Sequence, residues 1–268
     1  MSFLEGFYKA IANSIKGFSV IFEKGLWPYL FYPLVLWLIM WGFSIWVFAN
    51  IASQIAETIN EQLSINDIPD TGAWLSFAKP FLTGYFSVII AWILKLIFII
   101  ISSTFFRYVT LIFLSPLFAL LSESLEEKTT GKKHAFHFTQ LVKDIFRGIG
   151  ISLRNMLLEY FIMALCFIVT IFFPPLIVVT APLLLFISWY FVGFTMLDYN
   201  FERHKMSISQ SIHFARKNKG IACGIGAIYY FLMLLPSFIG MMFAPVIAVV
   251  GATMCFLQIK NETISIKY

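Results

Sequence analysis

The 268-residue chain is 60% hydrophobic and only 12% charged, with a mean hydropathy of +0.85 and a formal net charge of +5. Soluble domains are about a quarter charged, so this composition cannot cover a water-facing surface and excludes a soluble globular protein. The Lys and Arg residues sit at the ends of apolar runs, which excludes a nucleic-acid footprint. Cys166, Cys223 and Cys255 lie inside apolar stretches with no CxxC spacing and no His partner, so neither a disulfide framework nor a zinc site is expected.

From Ser2 to Glu23 the residues Phe3, Phe7, Ile11, Ile15, Phe18 and Phe22 recur at three- and four-residue steps, with Lys9 and Lys16 on the other side. This predicts an N-terminal amphipathic helix (residues 1–24) lying at the lipid headgroups. The alternative is an ordinary helix packed on its own chain. The first apolar run begins too late and is too long for the core of a signal peptide, so no cleavable leader is expected.

Residues 26–49 are apolar apart from Pro28, Pro33, Gly42 and Ser44. About 24 helical residues exceed the roughly 30 Å hydrocarbon core, and Trp27, Tyr29, Tyr32 and Trp46 suit its interfaces, which predicts a first long transmembrane helix. Residues 50–79 form a polar stretch with Glu57, Glu61, Asp67 and Asp70 and no positive charge before Lys79. Residues 80–121 are predicted as a second long membrane helix that overshoots the bilayer and bends at Pro116.

Two basic segments follow, residues 123–154 and 198–219. With Lys9, Lys16 and Lys24 at one end of the chain and Lys260 and Lys267 at the other, the positive-inside rule places both loops and both termini in the cytoplasm. The apolar regions 156–197 and 220–259 must then leave and return on the same side. Each carries prolines (Pro174, Pro175 and Pro182; Pro236 and Pro245) and an Ala-Pro dipeptide, a weak internal repeat. If the segments between the prolines are the turns, each arm is about 15 residues or roughly 22 Å, too short for the core. The turns are also uncharged and apolar, unlike turns in water. The predicted fold is all-α and integral to the membrane, with two long spans and two proline-broken, half-penetrating hairpins that pack into a homo-oligomer. The competing reading keeps each proline as a kink and gives six full crossings.

These landmarks resemble the CysZ family of bacterial sulfate permeases, which shares a domain with the etoposide-induced 2.4 proteins. The resemblance rests on four passages. They are Gly25-Leu26 leading to Tyr32-Pro33-Leu34, the run Ser115-Pro116-Leu117-Phe118 to Ser122-Glu123, Leu197-Asp198-Tyr199 with His204-Lys205, and Ala244-Pro245 to Gly251-Ala252-Thr253. It implies two long transmembrane helices, two half-penetrating hairpins, oligomeric assembly and sulfate conduction across the inner membrane. The family pattern also implies two arginines after Gly-Leu, which form a sulfate site with the backbone around that glycine. Here Trp27 and Pro28 stand in those positions. That leaves Lys24 and the amides of Gly25 and Leu26 as candidate anion donors.

Other residues carry candidate chemistry. Lys95 near the centre of the second span is read either as a pore-facing cation or as a residue shifted toward an interface. Arg107 marks a membrane boundary. Glu123 and Glu127, one helical turn apart, are read as pore-entrance groups or as a solvated face. Asp198 is expected to hold the second basic loop through Arg203 or Lys205, and His134 and His137 to be solvated. No nucleophile elbow, phosphate loop or metal cluster is present, so neither catalysis nor a cofactor is expected. The reading is a permease for a small inorganic anion such as sulfate, with membrane lipids as partners. The alternative is a membrane-shaping, lipid-handling or interaction protein on the same fold.

Overall fold

The computed structural model describes residues 1–40, 42, 87–131 and 138–265, and among these there is no strand. Eight helices are described: α1 Phe3–Glu23, α2 Trp27–Met40 opening with the 3-10 turn Trp27–Leu30, α3 Ser87–Thr130, α4 Phe138–Phe172, α5 Ile177–Arg203, α6 Ile208–Lys217, α7 Lys219–Met233 and α8 Ser237–Ser265. Four stretches are long and apolar enough to cross a membrane, Arg107–Thr130, Phe146–Phe172, Pro174–Phe201 and Phe238–Lys260. The chain divides into two compact units, Met1–Trp37 with Tyr108–Tyr268, and Leu38–Arg107. In the second unit the described backbone is helical. The polar stretch 50–79 and the residues His134 and His137 lie outside the described residues.

Helix α1 starts on a reciprocal capping box, in which the Glu5 amide donates to Ser2 Oγ and the Ser2 amide to Glu5 Oε2, both at 3.2 Å. The helix packs on its own chain, against α7 and α8, through Gly6, Ala10, Asn13, Ser14, Gly17 and Ile21. The aromatic stripe picked out by the sequence faces outward: Phe3, Ile15, Phe18 and Phe22 are all exposed. A small-residue face lets helices approach closely, and that face, not the bulky one, is the packed one.

The hairpins need correcting in their details. Pro182 and Pro245 lie inside the continuous helices α5 and α8, and the breaks come earlier, at Pro174–Leu176 and around Pro236. Leu176 closes a 3-10 turn and residues 177–180 are already α5, so they are not the tip. A proline in a helix removes one backbone bond, which a membrane helix tolerates. With the turns moved, α4 has 35 residues, α5 27 and α8 29, so only α7, with 15, keeps the short arm inferred from proline spacing. The two basic loops are largely helix as well. Helix α3 runs past residue 121 through Pro116 to Thr130, where Gly131 at φ 71° returns its N–H to the Glu127 carbonyl at 2.8 Å. Residues 138–154 belong to α4, and Ile208–Lys217 is α6.

The two hairpins differ in burial. The membrane-length part of α8 is 72% buried, whereas those of α4 and α5 are each 17% buried. The α7–α8 hairpin is the core of the larger unit, and the α4–α5 hairpin lies largely bare. At the centre is α7, packed against α5, α1 and α8. A Cβ on Gly220 would fall 2.1 Å from the Phe3 carbonyl oxygen, and one on Gly226 1.9 Å from that of Trp189. Gly193 on α5 faces the Ala222 carbonyl, where a Cβ would fall at 1.8 Å. Gly193 and Trp189 on one helix, Gly226 and Ala222 on the other, each one turn apart, make a reciprocal backbone contact.

Gly193→Ala is therefore expected to lower stability by about 2–3 kcal/mol, because a backbone carbonyl cannot step aside. Gly150→Ala, where a Cβ meets nothing within 4 Å, is expected to be neutral or slightly stabilising. Thermal unfolding of the two variants in one detergent checks both; equal midpoints would remove the close-contact argument.

Candidate functional site

The candidate anion turn is built as a helix C-cap. Helix α1 ends in a Schellman arrangement: the Leu26 amide donates to the Ile21 carbonyl at 2.7 Å and the Gly25 amide to Phe22 at 3.1 Å, with Gly25 at φ 63°. Both amides named as anion donors from the sequence are thus engaged, and the expectation that they stand open is corrected. A capping geometry turns these N–H groups back onto the helix that precedes them.

What remains at the turn is charge. Lys24 Nζ donates to the Lys128 carbonyl at 3.1 Å, and Lys128 Nζ donates to the Lys24 carbonyl. The two ammonium groups thus flank the turn, one of them at the C-terminus of α3, where cations are favoured by the helix dipole. Tyr29 Oη bonds Ser124 Oγ at 3.2 Å and ties α2 to the same stretch of α3. Trp27 is half exposed beside Phe31, so it presents an indole where the family resemblance implies a guanidinium. Sequence reading placed Lys128 among loop cations; its position at a helix end opposite Lys24 depends on α3 continuing past Pro116.

Glu123 and Glu127 lie half-buried on α3, and the acid between them is the buried one. Glu126 is 3% exposed; its Oε1 lies 3.7 Å from His204 Nε2, which in turn lies 2.9 Å from Lys260 Nζ. Tyr108, Ser115 and Ser122 precede it at seven-residue steps on the same face, and all are buried. That heptad of polar groups was the signal available in the sequence. The side chain of Lys95 lies outside the described residues, and only its helical backbone in α3 is described.

Around this stripe, α4 and α5 add further polar contacts. On α4, Arg147, Ile151, Asn155 and Glu159 recur every fourth residue. Arg147 Nη2 donates to Asp198 Oδ1 at 3.1 Å and to Ser211 Oγ at 2.6 Å. Asp198 is thus held from α4 by Arg147, because 138–154 is a helix packed along α5; of the partners expected for it, the side chain of Arg203 lies outside the described residues. Two turns beyond Arg147, Asn155 bonds Thr195 at 3.4 Å. Glu159, 1% exposed, accepts from the Tyr108 hydroxyl at 2.7 Å and from Ser188 Oγ. Ser122 donates to Asn200 Oδ1 at 2.8 Å and lies 3.0 Å from Thr253 Oγ1. Ionisable groups between membrane helices are costly unless paired, and they mark function by default.

Membrane-length apolar helices with acids, an arginine and hydroxyls bonded to one another between them define a multi-pass helical membrane protein with a polar interior. Comparison with known proteins gives the family. The chain belongs to the family described as sulfate transporter CysZ/etoposide-induced protein 2.4, whose model matches residues 14–252. Its relatives include the sulfate transporter CysZ of Pseudomonas aeruginosa (strain LESB58), 25% identical over 256 residues that cover 94% of this chain and 96% of that protein. The sulfate transporter CysZ of Pseudomonas fluorescens is 23% identical over 91% of this chain and 90% of its own. That of Vibrio parahaemolyticus is 25% identical over 97% and 94%.

Removing one partner of a buried pair leaves the other charge uncompensated. Arg147→Met is expected to lower stability by about 3 kcal/mol, and adding Asp198→Asn to restore part of the loss. A double-mutant cycle by thermal unfolding measures the coupling; additive losses would show that the pair contributes little.

Proposed function

We propose that the protein is a permease for a small inorganic anion, sulfate by its relatives, working as a homo-oligomer in the bacterial inner membrane with both termini in the cytoplasm. The observation that carries this reading is the family match through nine-tenths of the chain, to relatives that bear the name sulfate transporter. The Lys24–Lys128 corner supplies positive charge beside the turn where the family resemblance implies a sulfate site. With the Gly25 and Leu26 amides engaged in the cap, these two ammonium groups are the ligands proposed there. Lys95 is assigned as a pore-facing cation, and Glu123 and Glu127 to the entrance at the end of α3.

The α4–α5 hairpin is proposed to end inside the membrane. Its tip and the first turn of α5 are apolar and bare, with Phe172 82%, Phe173 56% and Val178 76% exposed. From Glu159, the last acid on α4, the tip is about 14 residues or roughly 21 Å away along the helix. Apolar side chains at a tip favour hydrocarbon over water.

Liposomes loaded with labelled sulfate test transport. Flux above that of empty vesicles is expected, and flux equal to it with a monodisperse, folded protein would sink the permease reading in favour of a lipid-handling one. Lys24→Gln with Lys128→Gln is expected to slow initial uptake about tenfold at low ionic strength, with the gap narrowing as salt screens the charges. Lys95→Ala is expected to slow it as well. For the hairpin, a single cysteine at Val178 in a background lacking Cys166, Cys223 and Cys255 is expected to resist a membrane-impermeant maleimide from outside; rapid labelling would mean a full crossing.

A further inference from the structure

Helix α6 carries a concentration of charge that neither the buried polar groups nor the Lys24 turn uses. From His204 to Asn261 the chain holds no Asp or Glu, yet Lys205, Arg216, Lys217 and Lys219 all lie within it. Two adjoining grooves of about 750 Å³ each open along the helix and share His213 and Lys217. The first is lined by Tyr190, His213, Arg216, Lys217 and Lys219, and the second includes His204, Lys205, Ser209 and Gln210. Among the described residues no carboxylate lines either one.

The helix is held so that these groups converge. Ser207 and Gln210 form a capping box at its start, with contacts of 3.2 and 2.7 Å. Its buried face is Ser211 and Ala215, and Ser211 is clamped by Arg147. Ser209, His213, Arg216 and Lys217, at helical spacing, are left on the open side. Tyr190, half-buried on α5, lies within Coulombic reach of both Arg216 and Arg154. A guanidinium fork, two ammonium groups and neutral hydroxyl donors on a fixed scaffold suit a tetrahedral oxyanion, for which arginine offers paired donors and lysine a point charge.

We propose that the α6 grooves bind a sulfate- or phosphate-type oxyanion, free in the cytoplasm or carried on a lipid headgroup. Binding here is separate from conduction and stands whether or not the protein transports sulfate.

The test is binding to the full chain. Detergent-purified protein is titrated with sodium sulfate and with inorganic phosphate by calorimetry. In parallel, nanodiscs of phosphatidylglycerol and phosphatidylcholine at one to four are released in native mass spectrometry to count retained phosphatidylglycerol. The wild type is expected to bind in at least one arm, and Arg216→Gln/Lys217→Gln/Lys219→Gln to weaken that binding about tenfold or more. Lys16→Gln, an exposed lysine on α1, is expected to leave it unchanged. Binding of the free ions identifies a soluble oxyanion, and retention of phosphatidylglycerol alone identifies a headgroup. Lys217→Gln, at the wall shared by the grooves, substitutes for the triple variant if that variant aggregates. No binding in either arm, or binding that the α6 variants leave within twofold of wild type, overturns the proposal.

Discussion

Between membrane helices lipid tails compete with side chains, so tight association depends on how closely backbones can come. Helix α7 meets that requirement by lacking side chains where it touches its neighbours, with Gly220 and Gly224 against α1 and Gly226 against α5. The carbonyls of Phe3, Phe7, Trp189 and Ala222 occupy the space a Cβ would take. Everything else in the larger unit follows from that contact. Helix α1 docks by its small face and turns its aromatics outward, and α5 is brought in so that its other side meets α4.

With α5 fixed, its hydroxyls and acids line up against α3 and α4. The result is a set of separate pairings: Glu159 with two hydroxyls, Asp198 with an arginine and Glu126 with a histidine. Asp198 meets a guanidinium where it sits, so part of the negative charge on this interior is neutralised locally. That matters for a protein whose proposed cargo is an anion. The two acids with basic partners lie at the end of the unit where α3 and α5 stop and α4 begins, near the cations of α6 and the Lys24 turn. Glu159, with hydroxyls only, lies about 18 Å deeper along α4.

Sequence patterning locates α1 to within a residue, since helical periodicity is local. It gives α3 as a long helix through Pro116 for the same reason, but ends it at residue 121, nine residues before Thr130. It erred where a local signal has two meanings. Proline breaks a soluble helix but persists inside a membrane one, so the spacing of Pro182 and Pro245 reads as turn boundaries and gives arms that are too short. Bulky periodicity marks the exposed side of α1 as readily as a core. At the site, Glu123 and Glu127 stood out by mutual spacing, while Glu126 mattered through spacing to Ser122, Ser115 and Tyr108. The pairing of Asp198 with Arg147, 51 residues apart, and the closing of the Gly25 amides are tertiary and capping facts that no residue count contains.

The crossed bonds between Lys24 and Lys128 join two places distant in sequence, the α1–α2 turn and the end of α3. Each lysine is both the other's donor and, through its carbonyl, the other's acceptor, and both side chains stay exposed. Each ammonium spends one of its three protons on the crossed bond, which leaves the others for an anion at the proposed site. An anion bound there, as proposed, would touch groups carried by two distant parts of the chain at once, which would tie its presence to how the α1–α2 turn and the end of α3 sit together.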